Sequence, residues 1–361
     1  MQNSPLRELY SQSQFPVFQN RMYSNASDAR CCPRGDIRLV EDQQTGLIYN
    51  AAFRPDVMDY DEHYQNEQAN SSHFREHLEK VTTIVERLIG LEDLVEIGCG
   101  KGFFMDMLTA RGADIVGFDP TYTGNDPRVR REYFGSGTGV RGRGLVLRHV
   151  LEHIPDPVDF IFQIKEANGG QGKIYIEVPC FEWICERRAW FDIFYEHVNY
   201  FRIDDFDRIF GEVIESGHIF GGQYIYVIAE LSSARKPRFD SERSVKFPSD
   251  FSNALNNIRS EIKEAAIVWG GASKGVIFSL MCERAGLPVD SVIDINPAKQ
   301  GRFLAATGLE VKSPGEVLPS LADNTPIYVM NSNYLEEIKE LSGNRLNYIS
   351  LDRHWSQHGC G

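Results

Sequence analysis

The chain has no apolar run near the roughly 18 residues a membrane-spanning helix requires, no excess of basic residues and no Cys-x-x-Cys pair. The first absence argues against a spanning segment. The second is a formal charge of -13, which would repel nucleic-acid backbones and anionic membrane faces while leaving room for a local basic cleft around one anionic ligand. The third leaves seven scattered cysteines, Cys31, Cys32, Cys99, Cys180, Cys185, Cys282 and Cys360, which suit reduced thiols better than a disulfide framework. The opening MQNSPLRELYSQSQF lacks the basic and then apolar order of a signal peptide, so a cytoplasmic location is expected. Short-period repeats and low-complexity tracts are also missing. What remains is 361 residues, 42% hydrophobic and 25% charged, enough for two or three domains of ordinary size.

The order of segments predicts an α/β protein. Residues 1–74 are polar and aromatic without long helical periodicity, and read as an irregular N-terminal cap. In HFREHLEKVTTIVERLIG the apolar residues Leu78, Val81, Ile84, Val85, Leu88 and Ile89 fall on one helical face. LVEIGCG, DIVGFD, RGLVLRHV and KIYIEVP read as buried parallel strands, and FGGQYIYVIAEL as an antiparallel hairpin strand closing a domain over 75–231. Residues 232–264 are charged and proline-bearing, a linker that ends in a connecting helix. A second α/β unit over 265–361 runs from AIVWGGASKG through SVIDINP to TPIYVMNSN.

The strongest chemical signal is VEIGCGKGFF followed by GFDP. Gly98, Gly100 and Gly102 would let a ligand touch the backbone at a strand-to-helix turn, and Asp119 would end the next strand facing ribose hydroxyls. Glu96, just before the first glycine, suits a cationic amino group better than a pyrophosphate. The same glycines also fit a tight turn with no ligand. His149, Glu152 and His153 spell His-x-x-Glu-His, a zinc-peptidase pattern, but Pro155 leaves at most a short turn, so the segment reads as a loop lining a cofactor pocket and no metal is expected. In FYEHVNYF, a tyrosine, a glutamate and a histidine stand among aromatics. They are either proton-handling groups or core aromatics around a hydrogen-bonded His197.

VEIGCGKG, GFDP and RHVLEHIPDP resemble class I S-adenosylmethionine-dependent methyltransferases. With FYEHVNYF, WGGASKG, INPAKQGRF and NSNYLEEI, the chain looks like the three-part sugar C-methyltransferases. That resemblance implies a class I methyltransferase Rossmann-like domain, a second C-terminal Rossmann-like domain and a small N-terminal cap around a nucleotide-linked keto sugar. It assigns S-adenosylmethionine to Glu96, Gly98, Gly100, Gly102, Asp119, His149, Val150 and Leu151, and the sugar nucleotide to Lys274, Asn331 and Asn333. The chain departs from the pattern twice. EDQQTGLIYN has Asp42 and Thr45 where the family's cap carries zinc-binding cysteines, and the usual Tyr-x-Glu-His is here Phe194, Tyr195, Glu196, His197.

Joining a methyl group to carbon requires a base to remove a proton beside a carbonyl and a donor to hold the resulting enolate. The expected base is His197, oriented by Glu196, with Tyr195 or Asn199 donating to the enolate oxygen. Tyr64, with Tyr60 and His63, is expected in a lid over the substrate. O- or N-methylation of another small molecule, an NAD-dependent oxidoreductase using Gly270, Ala272, Gly275 and Asp294, and a non-catalytic binding protein stay open. The expected partner is a small molecule, with neither nucleic acid nor membrane.

Overall fold

A computed structural model describes residues 6–58, 71–256, 258–262 and 265–354. Tyr60, His63 and Tyr64 lie outside the described residues.

The N-terminal segment is more regular than its sequence suggests. Strands β1 (Leu6–Pro16), β2 (Arg34–Asp42) and β3 (Ile48–Asn50) form an antiparallel meander. The β1–β2 register slips between Glu8 and Tyr10 and again between Gln12 and Phe15, so the apolar alternation that would announce a strand is broken twice.

The central sheet begins with a 17-residue helix, Ser72–Leu88, capped by the Ser71 hydroxyl accepting from the Phe74 N–H. Its Leu78, Val81 and Val85 are buried against Leu94, Phe104 and Ile115. Strands β4 (Leu94–Ile97), β5 (Ile115–Phe118), β6 (Val129–Arg130), β7 (Gly144–Arg148) and β8 (Lys173–Pro179) pair in parallel. Both faces are covered. On β7, Leu145 and Leu147 enter one core cluster and Val146 the other, and Ile174, Ile176 and Val178 on β8 likewise face away from Tyr175.

After β8 the chain returns to the first sheet. β9 (Asn199–Tyr200), directly after the FYEH run, pairs with β3 and completes a four-stranded sheet. β10 (Val213–Ile219) and β11 (Tyr224–Glu230) then make the expected antiparallel hairpin, giving the order β10-β11-β8-β7-β4-β5-β6. The chain reverses direction across the sheet between β4 and β7, the point where open α/β sheets bind ligands.

Residues 232–256 pack closely rather than hanging as a tether. Buried Glu41 accepts from the Ser244 hydroxyl and the Val245 N–H, and Val245, Phe251 and Leu255 join the largest core cluster. Of the expected connecting helix, the described helical parts are Asn253–Asn256 and Ile258–Glu261. Strands β12 (Ala266–Trp269), β13 (Val289–Ile293), β14 (Val311–Lys312), β15 (Pro326–Val329) and β16 (Asn347–Ser350) form an all-parallel sheet in the order β14-β13-β12-β15-β16. Its own switch point lies between β12 and β15. None of the described helices is long and apolar enough to cross a membrane.

Candidate active site

The turn after β4 is built for close approach. Gly98, Gly100 and Gly102 adopt φ of 76°, 53° and 82°, left-handed conformations that side-chain-bearing residues avoid. A Cβ at Gly98 would stand 2.4 Å from Val150 Cγ2, whereas one at Gly100 would meet nothing within 4 Å. The turn is therefore tight against the loop after β7 and open on its outer side. Asp119, at the end of β5, accepts from the Gly100 N–H at 2.9 Å through one oxygen and from the Thr121 N–H and hydroxyl through the other.

Behind the turn lies Glu96, 2% exposed, with Oε2 lacking a hydrogen-bond partner among the described residues. Burial pushes its carboxyl up to about 8. A buried, unpartnered acid beside an open glycine turn fits a ligand that brings a cationic amino group, as S-adenosylmethionine does. The residues present therefore fit that cofactor, with Asp119 placed for its ribose.

The loop after β7 carries a dense ionic cluster. His149 sits at φ 54°, a conformation maintained only where the surroundings enforce it. Its Nε2 lies 3.1 Å from Glu177 Oε1 and its Nδ1 3.3 Å from Glu152 Oε1. Burial opposes charge on His149, yet the bonds to Glu152 and Glu177 outweigh it and raise the imidazole to about 9. Glu177, at the C-terminal end of β8, also receives His77 Nε2, Arg148 and the Tyr175 hydroxyl. Despite burial, the Arg148 charge and these bonds hold its carboxyl well below the usual range. His149 thus braces the loop while lining the cleft. The His-x-x-Glu-His run is one 3-10 turn, Leu151–His153, with Leu151 buried in the core.

A cleft of about 220 Å³ opens between the central and C-terminal sheets. From the central side it is lined by His149, Glu152, His153, Phe194, His197 and Tyr224; from the second sheet by Gly270, Lys274, Asp294, Lys299 and Asn331. His197 lies in T-shaped contact with His153 at 4.9 Å and with Phe194 at 5.0 Å. Burial and the neighbouring His153 push its imidazole down to about 3, so the ring is neutral and carries a lone pair at neutral pH.

Its sequence neighbours have other tasks. Tyr195 is buried, and its hydroxyl accepts from the Arg54 N–H at 2.9 Å while its ring lies over Phe53 and against Gly35. Glu196 accepts from the Gln19 N–H. Asn199 donates to the Ile154 carbonyl at 2.6 Å and pins the turn below the cleft. None of the three lines the cleft. The expected enolate donors and orienting carboxylate therefore act as anchors to neighbouring segments, because the irregular loop before β9 follows no strand alternation and its course turns His197, rather than these three, into the cleft.

In the second unit Lys274 forms a 3.0 Å ion pair with buried Asp192 and lies over Trp183 at 4.7 Å, so its charge is already balanced. Asn331 donates to Gln223 Oε1 at 2.7 Å and borders the cleft, while Asn333 bonds Phe220 O and Gln223 and does not. Sequence reasoning did not single out Asp192, Gln223 or Lys299, although Lys299 lies within INPAKQGRF. Glu177 could have been found as an acid inside a strand that is otherwise buried and apolar.

A family model described as a methyltransferase domain matches residues 62–213. C-methyltransferase NovU of Streptomyces niveus is 22% identical over 322 residues, 76% of this chain and 76% of that protein. Among solved structures, magnesium protoporphyrin IX methyltransferase (ChlM) from Synechocystis PCC 6803 with bound SAH covers 44% of this chain and 82% of its own at 14% identity and a TM-score of 0.34. N-methyltransferase NodS from Bradyrhizobium japonicum WM9 covers 44% and 97% at 14% identity and a TM-score of 0.32. The family match spans β4 to β9 with the glycine turn, Asp119 and His197; the central unit is a methyltransferase domain, and the protein is an S-adenosylmethionine-dependent methyltransferase.

Proposed function

We propose that the protein methylates carbon on a small polar acceptor, a nucleotide-linked keto sugar, with His197 as the base. The observation that carries this reading is the placement of a half-buried imidazole in a cleft whose opposite wall is a second glycine turn with Lys299 and Asp294. Such a wall suits a nucleotide moiety, and the similarity to a C-methyltransferase points to carbon as the nucleophile.

The cofactor, when bound, supplies an electrophilic methyl group. The protein's own residues do the rest. Glu96 receives the cofactor's amino group, Asp119 its ribose, and the glycine turn its backbone contacts. His197 Nε2 or Nδ1 accepts the proton from the carbon beside the acceptor's carbonyl. The buried Glu152 carboxylate, held ionised by His149 in spite of burial, offsets the charge that His197 gains. General-base catalysis of this kind contributes about 10²–10⁴-fold, and alignment of the carbon with the methyl group adds a positional term.

The test is incubation of the full-length protein with nucleotide-linked keto sugars in deuterated water. Expected are deuterium exchange beside the carbonyl and a carbon-methylated product, both lost in His197→Asn. Methyl transfer to oxygen or nitrogen without exchange would replace the carbon reading by heteroatom methylation.

A further inference from the structure

The two imidazoles of the His-x-x-Glu-His run diverge. His149 turns to Glu177, whereas Glu152 and His153 meet His197, which arrives from a different loop. Glu152, His153 and His197 each present one donor atom, and these atoms lie within 4.8 Å of one another. We propose that Glu152, His153 and His197 bind one divalent ion of the zinc class, and that this ion and the acceptor's proton compete for His197.

Three observations converge. Two imidazole nitrogens and a carboxylate form a donor set suited to zinc and its neighbours. Ligand atoms around a tetrahedral zinc stand about 3.3 Å apart, given bonds of about 2.0–2.1 Å, so rotamer adjustments of an ångström or so close the site. The Glu152 carboxylate is 1% exposed; among the described residues its Oε1 pairs with His149 Nδ1 at 3.3 Å, and its Oε2 has no hydrogen-bond partner. A buried carboxylate in that state favours an added cation. His153 Nδ1 lies 2.9 Å from the Glu196 carbonyl oxygen. A carbonyl only accepts, so Nδ1 carries the proton, and ring and tautomer are fixed by the kind of outer bond that orients metal-ligating histidines.

All three residues line the cleft, which leaves a fourth position facing the acceptor. The consequence rests on the reading of His197 as the base: an ion bound to its lone pair removes that base, so zinc inhibits methyl transfer and a chelator restores it. The binding itself needs neither cofactor nor acceptor, and the two claims fail separately.

The experiment is calorimetric titration of chelator-treated full-length protein with zinc chloride, repeated with cobalt(II) read by visible absorption. Expected is one ion per chain, weakened at least about 100-fold in Glu152→Gln and in His197→Ala and unchanged in Cys180→Ser. The last variant controls for the other close donor group among the described residues, Cys180, Glu182 and His218. The cobalt spectrum should lack thiolate bands. A cooperative thermal transition checks each variant's fold, and the near-isosteric Glu152→Gln decides the matter if His197→Ala does not fold. Absence of stoichiometric binding, binding that survives Glu152→Gln, or binding lost in Cys180→Ser overturns the site. Stoichiometric zinc with undiminished methyl transfer overturns the competition.

Discussion

The chain contains the same turn twice, with opposite chemistry around it. After β4, Asp119 accepts from the Gly100 N–H at 2.9 Å; after β12, Asp294 accepts from the Gly271 N–H at 2.9 Å. In both, the carboxylate at the end of the following strand closes the glycine turn at the sheet's switch point. The first turn has an unpartnered acid, Glu96, behind it. At the corresponding place before Gly270 stands buried apolar Val268, and Lys299 lies 3.3 Å from Asp294. The first turn also has three left-handed glycines, whereas in the second Gly270 stands at φ 121° and Ser273 at 42°. A shared backbone device therefore does not imply a shared ligand. On the function proposed above, the side chains behind it would select a cationic nucleoside at one turn and an anionic one at the other.

The largest expected effect separates the turns by stability. Lys274→Met leaves Asp192 as an uncompensated buried charge, and losing one partner of such a pair costs about 3–5 kcal/mol. Urea unfolding should show this loss, and a change below about 1 kcal/mol would mean that Asp192 is stabilised some other way. Next comes ligand selectivity. Asp119→Ala should weaken S-adenosylhomocysteine binding about 100-fold, the order expected for lost charge-assisted bonds, while Asp294→Ala leaves it within about twofold; equal losses would erase the distinction.

The smallest effect is a pH dependence at the first turn. Glu96 takes up its proton at about 8 in the free protein, against an ordinary 4.5, and a bound ammonium group lowers that value, so binding releases a proton. Affinity for S-adenosylhomocysteine should rise with pH, by at most about tenfold per unit, level off above about 8, and lose this slope in Glu96→Gln. The sign for stability is opposite. A raised carboxyl value stabilises the free protein below 4.5, and that contribution is lost as pH climbs toward 8.

Much of this was legible in the sequence because buried parallel strands announce themselves as apolar runs. LVEIGCG and KIYIEVP read directly as β4 and β8. The N-terminal meander did not, since its register slips break the alternation and its exposed faces are polar. At the site, the glycines and Asp119 were readable from spacing. Within FYEHVNYF, however, sequence gave no means of telling which side chains face the cleft: β9 begins at Asn199, and only the course of the preceding loop turns His197 inward and commits Tyr195 and Glu196 to the N-terminal segment.

The most direct test of the central claim is calorimetric titration of the full-length protein with S-adenosylhomocysteine and, separately, with NAD, in wild type, Asp119→Ala and Asp294→Ala. One S-adenosylhomocysteine per chain is expected, sensitive to Asp119 and indifferent to Asp294, with no NAD binding. At a ligand concentration of 100 times the dissociation constant this binding should also stabilise the fold by about 2.7 kcal/mol. Binding of NAD alone, abolished by Asp294→Ala, would move the chemistry to the second turn and contradict the account.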